Sequence, residues 1–483
     1  MYEYTKIERI DPEVKLSQER IQDFKEIYEI YEPEIGAAQA SRCIQCGIPY
    51  CSATGCPLNN NIPQWLKYIA NKDLKLAFEI SNETSPYPEI LGRICPHDRL
   101  CEGACTLNDG HGAVTIGAIE IFINETGFES GLKPSFAEKL SDKKVAIIGS
   151  GPAGLSCATF LLRAGIKPVV FERADEPGGL LIYGIPGFKL EKETVTRRVK
   201  YLLDAGMELR LSTEIGKDIS FDEICNTHDA VFLSFGATEG KLLSYENYNT
   251  HNIYMAVPFL TNIQMKLLGK KHDAKYNVTG KDVLVIGGGD TAMDCVRTSV
   301  REGANSVKCI YRRDEENMPG SRREVKSAKE EGVEFIFNTA PKNFVANARG
   351  NIMGMNFVKT ALTQNGQPGR ASFEELSKTE HAIDGDIIIL ALGFNIEQLQ
   401  FLNENGIRTN RLGGIITNEK MQTTRDGVFA GGDAVRGADL VVNAALDGRE
   451  AAMAIAEYVL DETRTKQEVE KVTIGMKRER KAS

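Results

Sequence analysis

Two glycine-rich turns of one design constrain this chain more than any other feature. In residues 141–172, SDKKVAIIGSGPAGLSCATFLLRAGIKPVVFE, the apolar run 145–148 enters Gly149-Ser150-Gly151-Pro152-Ala153-Gly154. A helical stretch follows, and the next apolar run ends at Glu172. A lone G-x-G-x-x-G is a weak signal. The strand before it, the helix after it and the closing acid make it the fingerprint of a dinucleotide-binding βαβ unit. Gly149 permits the tight turn, Gly151 lets the backbone approach a pyrophosphate at the helix N-terminus, and Glu172 accepts from an adenosine ribose. Residues 280–313 repeat the design: an apolar run over 283–286 enters Gly287-Gly288-Gly289-Asp290-Thr291-Ala292, and the following VKCIY strand ends at Arg312 and Arg313. Two guanidiniums in place of the acid suit a ribose 2′-phosphate through bidentate, charge-assisted bonds. The first unit is expected to hold the adenosine of FAD or NAD, and the second NADPH.

A third segment belongs with these two. GDIIILALGF reads as a buried strand. In GVFAGGDAVRGADLVVNAALDGREAA, residues 428–430 read as a strand, Gly431-Gly432-Asp433 as a turn and 441–458 as a helix. The N-terminus of that helix would face a flavin ring, and Asp433 its ribityl hydroxyls.

The other constraint is cysteine. Seven of the eleven fall within residues 43–105: Cys43, Cys46, Cys51, Cys56, Cys95, Cys101 and Cys105. The N-terminus MYEYTKIERIDPEVK has no apolar core of a signal peptide, so a cytoplasmic location is expected. In that compartment such clustering points to metal or redox chemistry rather than disulfides. Zinc competes with iron–sulfur as the reading. Only one C-x2-C occurs, however, and His97 and His111 are isolated. Mixed short spacings with Cys-Pro steps fit iron–sulfur ligation better. Two [4Fe–4S] clusters need eight ligands where seven Cys are present. Either one cluster is a [3Fe–4S] or another side chain supplies the eighth. Cys157, Cys225, Cys295 and Cys309 lie among apolar neighbours and read as small buried hydrophobes. No C-x2-C or C-x4-C pair lies in 141–465, where a disulfide reductase would set one beside the flavin. Electrons are therefore expected to leave through the cysteine-rich region. Hydride transfer between aligned cofactors needs no protein acid or base, so no catalytic residue is assigned.

At 483 residues the chain has room for roughly three domains. Its net charge of −9 argues against nucleic acid as a partner, and no apolar run reaches bilayer length. SQERIQDFKEIYEIY is amphipathic at helical spacing and is expected to pack on its own domain. The basic tail KVTIGMKRERKAS is expected to be solvated.

These residues resemble a known family, the small (beta) subunits of bacterial NADPH-dependent glutamate synthase. The resemblance runs from CIQCGIPYC to the DGREAA helix. It is carried by GCPLNNNIPQW, GGLLIYGIPGFKL, GGGDTAMDCVRT, YRRDEENMPGSRREV and VFAGGDAVRGADLVV. The same module occurs in the NADPH-oxidising half of dihydropyrimidine dehydrogenase. The resemblance implies an α/β chain with an N-terminal α-helical iron–sulfur domain and two Rossmann-like domains of glutathione-reductase type, the FAD domain discontinuous. Its boundaries would be 1–140 for the [4Fe–4S] domain, 141–272 and 385–465 for FAD, 273–384 for NADPH and 466–483 for the tail.

By the same resemblance, Cys43, Cys46, Cys51 and Cys105 hold one [4Fe–4S] cluster. Cys56, Cys95, Cys101 and Glu120 hold the other. Residues 150–154, Glu172, Gly179, Leu180, Lys189, Gly432 and Asp433 touch FAD, and 288–291 with Arg312 and Arg313 touch NADPH. The implied activity is electron input: NADPH to FAD, through two clusters, to a large (alpha) subunit that makes L-glutamate from L-glutamine and 2-oxoglutarate. The chain begins Met1-Tyr2 without a nucleophilic Cys, and three domains use its length, so glutamate synthesis itself is expected in the partner. The CPHDRLCEGAC spacing also occurs in stand-alone relatives. An oxidoreductase reducing ferredoxin, polysulfide or a pyrimidine-reducing partner is the alternative.

Overall fold

Apolar runs such as VAII, VLVI and IIIL are buried along their whole length, as strands of parallel sheets covered on both faces are. The computed structural model of the protein describes residues 1–243, 245, 250–363 and 371–460; the tail expected at 466–483 lies outside them. Its principal strands are β1 (Lys144–Ile148), β2 (Lys167–Phe171), β3 (Glu208–Arg210), β4 (Ala230–Leu233), β5 (Ile253–Met255), β6 (Asp282–Ile286), β7 (Ser306–Ile310), β8 (Glu334–Ile336), β9 (Ile387–Leu390) and β10 (Val428–Ala430). They form two five-stranded parallel sheets, ordered β10-β4-β1-β2-β3 and β5-β9-β6-β7-β8. A four-stranded antiparallel sheet over 339–384 adjoins the second.

The first sheet draws β10 from far down the chain. The second draws β5 and β9 from outside the range expected for it. The boundaries expected at 272/273 and 384/385 therefore need correction. The IIIL strand, assigned from sequence to the returning FAD segment, pairs with β6 (Ile387 opposite Val283) and β5 (Ile388 opposite Ile253). A uniformly apolar strand fits the middle of either sheet, so its composition does not name its neighbours.

Among the described residues, five helices of seven residues or more precede the sheets: α1 (Pro33–Ser41), α2 (Ile62–Ala70), α3 (Leu74–Thr84), α4 (Pro88–Ile94) and α5 (Ile116–Glu129). A proline stands in the first turn of α1, α2 and α4, where the missing N–H costs nothing. Trp65, Phe78, Phe122 and Ile123 form their core. Leu58, Tyr87, Ile90 and Leu91 instead join the core under the first sheet, so the helical region and the first nucleotide unit share a hydrophobic interior. Tyr87 Oη donates to the Pro152 carbonyl at 2.9 Å, and Arg449 donates to the carbonyls of Leu58 and Thr84.

The amphipathic segment at 17–31 is not a helix of that length. Only Ser17–Arg20 is helical. Val14 and Tyr28 form a bridge instead. Arg20 reaches Glu331 at 2.8 Å and Glu330 at 2.9 Å, and Phe24 packs on Phe188. Glu26 accepts from Arg93 at 2.7 Å and from the Glu191 amide. Its apolar and charged positions thus meet several partners along an open strap, which does not pack on its own domain alone.

Candidate functional site

The cysteines sort into two cavities. Cys43, Cys46, Cys51 and Cys105 line one, walled by Ile44, Pro63, Leu66 and Leu107. Cys56, Cys95, Cys101 and Glu120 line the other, beside Trp65, Leu91 and Val442. In the first, Gln45 donates to Cys43 Sγ through its backbone N–H (3.5 Å) and its side-chain amide (3.3 Å), and Thr106 Oγ1 lies 3.5 Å from Cys46 Sγ. Burial pushes the thiols of Cys43 and Cys56 up, Cys51 to about 12, and Cys95 and Cys101 well above the ordinary range. These are thiols until a cationic centre takes their protons. Burial likewise pushes Glu120 up to about 8, opposed by Asn60 Nδ2, which donates to Glu120 Oε1 at 2.8 Å. Among the described residues no salt bridge pairs a cation with Glu120, whose oxygens are left to serve as donors to a metal group.

A tetrahedral zinc would hold thiolate sulfurs about 3.8 Å apart. Among the described residues no three His, Cys, Asp or Glu side chains are grouped to hold a single ion. Eight donors spread in fours around two cavities fit a larger iron–sulfur group better.

The first glycine loop joins β1 to the helix α6 (Pro152–Arg163). Gly149 has φ +101°, and a Cβ there would lie 2.6 Å from the Ser234 carbonyl at the end of β4. Gly151 has open space where a side chain would stand, which leaves the α6 N-terminus accessible to a pyrophosphate. The loop sits between β1 and β4, where the strand order reverses and α/β sheets bind ligands. Glu172 accepts from the Ser150 amide (2.9 Å) and hydroxyl (2.6 Å), and Ser150 Oγ accepts from Gly178 N–H. A Cβ on Gly179 would lie 3.0 Å from Gly151 Cα, so the GGLL segment, with Leu180 opening its short helix, crosses the loop backbone to backbone. A Cβ on Gly432 (φ +66°) would lie 2.9 Å from Ala153 Cβ, and the Gly432 N–H donates to Asp447, itself paired with Arg436. Burial pushes the Asp433 carboxyl up to about 7. The structure thus brings 149–154, 172, 178–180 and 432–433 together. Lys189 is different: it is ion-paired to Asp294 at 2.9 Å and lies 3.9 Å from Glu324, both on the second nucleotide unit.

The second loop joins β6 to α7 (Asp290–Arg301), with Thr291 in the first helical turn. Gly287 (φ +147°) would carry a Cβ 2.3 Å from the Ala391 carbonyl, and Gly289 faces nearly open space. Asp290 accepts from Ser321 N–H at 2.8 Å, and Gly320 N–H donates to the Gly288 carbonyl. Arg312 is exposed with its guanidinium 4.9 Å from the Phe373 ring centroid. Arg313 is buried and donates to the Ala371 carbonyl at 2.6 Å. The two arginines are therefore not equivalent. Replacing Arg312 with Gln is expected to raise the KM for NADPH between about tenfold and a hundredfold, the worth of a charged hydrogen bond. The KM for NADH should stay unchanged, and Arg313→Gln should act more through folding. Steady-state kinetics with both nucleotides checks this.

Sequence reasoning missed several pairing residues. Asn60 orients Glu120. Arg99, in the cysteine-rich loop, donates to the Pro319 carbonyl at 2.8 Å and lies 3.6 Å from Asp290. Lys192, pushed down to about 7 by burial, donates to the carbonyls of Leu181 and Ile185 beneath the GGLL segment. No local motif signals any of these. Asn60→Ala is expected to weaken iron retention at Glu120's cavity about 10–100-fold, the usual cost of losing a ligand's outer partner. Iron content after chelator challenge measures it.

Residues 20–132 match the family described as dihydropyrimidine dehydrogenase domain II, 4Fe-4S cluster, and residues 143–448 match the pyridine nucleotide-disulphide oxidoreductases. Glutamate synthase [NADPH] small chain of Escherichia coli (strain K12) is 46% identical over 95% of this chain and 99% of that one. Glutamate synthase [NADH] of Saccharomyces cerevisiae is 36% identical over 92% of this chain and 22% of that protein. FprA from Mycobacterium tuberculosis in complex with NADPH shares the fold, with a TM-score of 0.56 at 15% identity over 67% of this chain and 86% of that one. Fold and loops define a pyridine nucleotide-dependent oxidoreductase with an N-terminal iron–sulfur domain. Within that class, the chain belongs to the family of the NADPH-type glutamate synthase small chains. Among the described residues no helix is long and apolar enough to cross a membrane.

Proposed function

We propose that this chain is the electron-input subunit of a glutamate synthase, oxidising NADPH for a large subunit that makes L-glutamate from L-glutamine and 2-oxoglutarate. Bound FAD would supply a hydride acceptor for NADPH, and two bound [4Fe–4S] clusters would supply single-electron transfer toward the partner. Residues 149–154, Glu172, Gly179, Leu180, Gly432 and Asp433 bind and orient FAD. Residues 287–291 with Arg312 bind NADPH, and Arg313 supports that edge of the site through the Ala371 carbonyl. Cys43, Cys46, Cys51 and Cys105 hold one cluster, and Cys56, Cys95, Cys101 and Glu120 the other. Lys189 fixes the two nucleotide units against each other through Asp294.

The observation that carries the reading is that both nucleotide loops and both donor quartets sit in one bonded frame. The cavity containing Glu120 also borders Val442 of the helix that follows Asp433. The yeast relative supports the division of labour: the matching stretch is about a fifth of a chain named for the whole reaction. The test is NADPH oxidation by the anaerobically purified complex. Dependence on both glutamine and 2-oxoglutarate, with a large subunit co-eluting, is the expected result. NADPH oxidation indifferent to both would transfer the acceptor to the alternative class of partner.

A further inference from the structure

We propose that Trp65, Ser85 and His97 donate hydrogen bonds to the cluster held by Cys56, Cys95, Cys101 and Glu120, and that these bonds hold its reduction potential up. This rests on the assignment of that quartet as cluster ligands. Trp65 Nε1, Ser85 Oγ and His97 Nε2 are buried polar atoms without a partner. All three residues line the same cavity. They come from separate elements: α2, the end of α3 and the turn after Cys95. An orphaned buried donor costs about 1–3 kcal/mol, so three around one hole call for a common acceptor. Neither Glu120 nor any cysteine sulfur of the quartet accepts from them. The sulfides and thiolates of a bound cluster supply acceptors where the protein has none.

His97 is held in place by its neighbour. A Cβ on Gly117 would stand 2.3 Å from His97 Cε1 and 2.4 Å from Nε2, so the ring occupies space that only glycine leaves. Gly117 lies one helical turn before Glu120, on the same face of α5. The imidazole must then carry its proton on Nε2.

Reduction adds one negative charge to the cluster. Donors to its sulfur favour that more negative state and raise the potential. Trp65 and Ser85 act in the same way, each offering its own N–H or O–H to the cluster.

The test is an EPR-monitored redox titration of anaerobically purified holoprotein, with iron and sulfide counted per FAD in the same samples. Trp65→Phe, Ser85→Ala and His97→Leu are each expected to shift one cluster's one-electron reduction equilibrium about tenfold, or 59 mV downward. The other cluster's signal should not move, and His97→Gln, which keeps an N–H, should recover most of the shift. Unmoved potentials in fully loaded Ser85→Ala and Trp65→Phe overturn the proposal, as does an equal shift of both clusters. Should Trp65→Phe lose iron, Ser85→Ala, which removes one hydroxyl, decides. A wild-type protein holding only one cluster would instead overturn the ligand assignment beneath it.

Discussion

Arg198→Met is expected to destabilise the protein by about 3–5 kcal/mol, the cost of leaving a buried charge without its partner. Arg198 lies on the helix Lys192–Asp204 and meets Glu89 on α4 with two bonds of 2.8 and 2.6 Å. Both side chains are fully buried. Arg198 also donates to Asn82 at 3.2 Å. The pair therefore clamps the helical region to the first nucleotide unit, at the interface where Tyr87 bonds Pro152. Glu89→Leu alone should cost a similar amount, because it strands the guanidinium. The double substitution should be much closer to wild type, since apolar replacement of a whole buried pair is often neutral or better. Denaturant unfolding of all four proteins measures the coupling. Single losses that merely add in the double variant would show that the two charges do not act as a pair. In a chain with several domains the first transition is the one to read.

The glycine loops were legible in the sequence because their chemistry is local. Gly149 and Gly287 are required by positive φ and by carbonyls within 2.6 Å of where a Cβ would stand, and the strand and helix that frame them are contiguous. The cysteine quartets were legible only by resemblance. Cys105 shares a cavity with three cysteines near the N-terminal end of the region, and Cys56 does not share it although it follows Cys51 closely. Spacing cannot reveal that interleaving, because the turns and helices between them decide which sulfurs meet. The strap at 14–28 and the IIIL strand escaped for a related reason. Amphipathic or apolar patterning reports that a segment is covered, without reporting by what. Arg312 and Arg313 read alike in sequence, and only the fold distinguishes them, by bringing Ala371 to one.

Glu120 offers the sharpest test of how the second cavity works. Glu120→Ala is expected to cost the protein about four of eight irons per FAD, the content of one [4Fe–4S] cluster. Glu120→Gln is expected to keep them. The contrast follows from Asn60, whose Nδ2 donates to Glu120 Oε1 at 2.8 Å while its Oδ1 accepts from Thr84 Oγ1 at 3.1 Å. A glutamine at 120 brings one oxygen and one NH₂. With its oxygen toward iron, the NH₂ faces Asn60. Rotating the Asn60 amide by half a turn presents Oδ1 to that NH₂ and Nδ2 to Thr84, whose hydroxyl accepts as readily as it donates. Every polar group remains satisfied and an oxygen ligand survives. Alanine supplies no oxygen and also orphans Asn60. Dye reduction by NADPH should persist in Glu120→Ala, because hydride transfer depends on the nucleotide loops. Electron delivery to the large subunit should be lost, because the cavity that borders the nucleotide-binding unit no longer holds its relay. Full iron content in Glu120→Ala would remove the carboxylate from the ligand set. Equal loss in both variants would show that its negative charge, rather than its oxygen, holds the cluster.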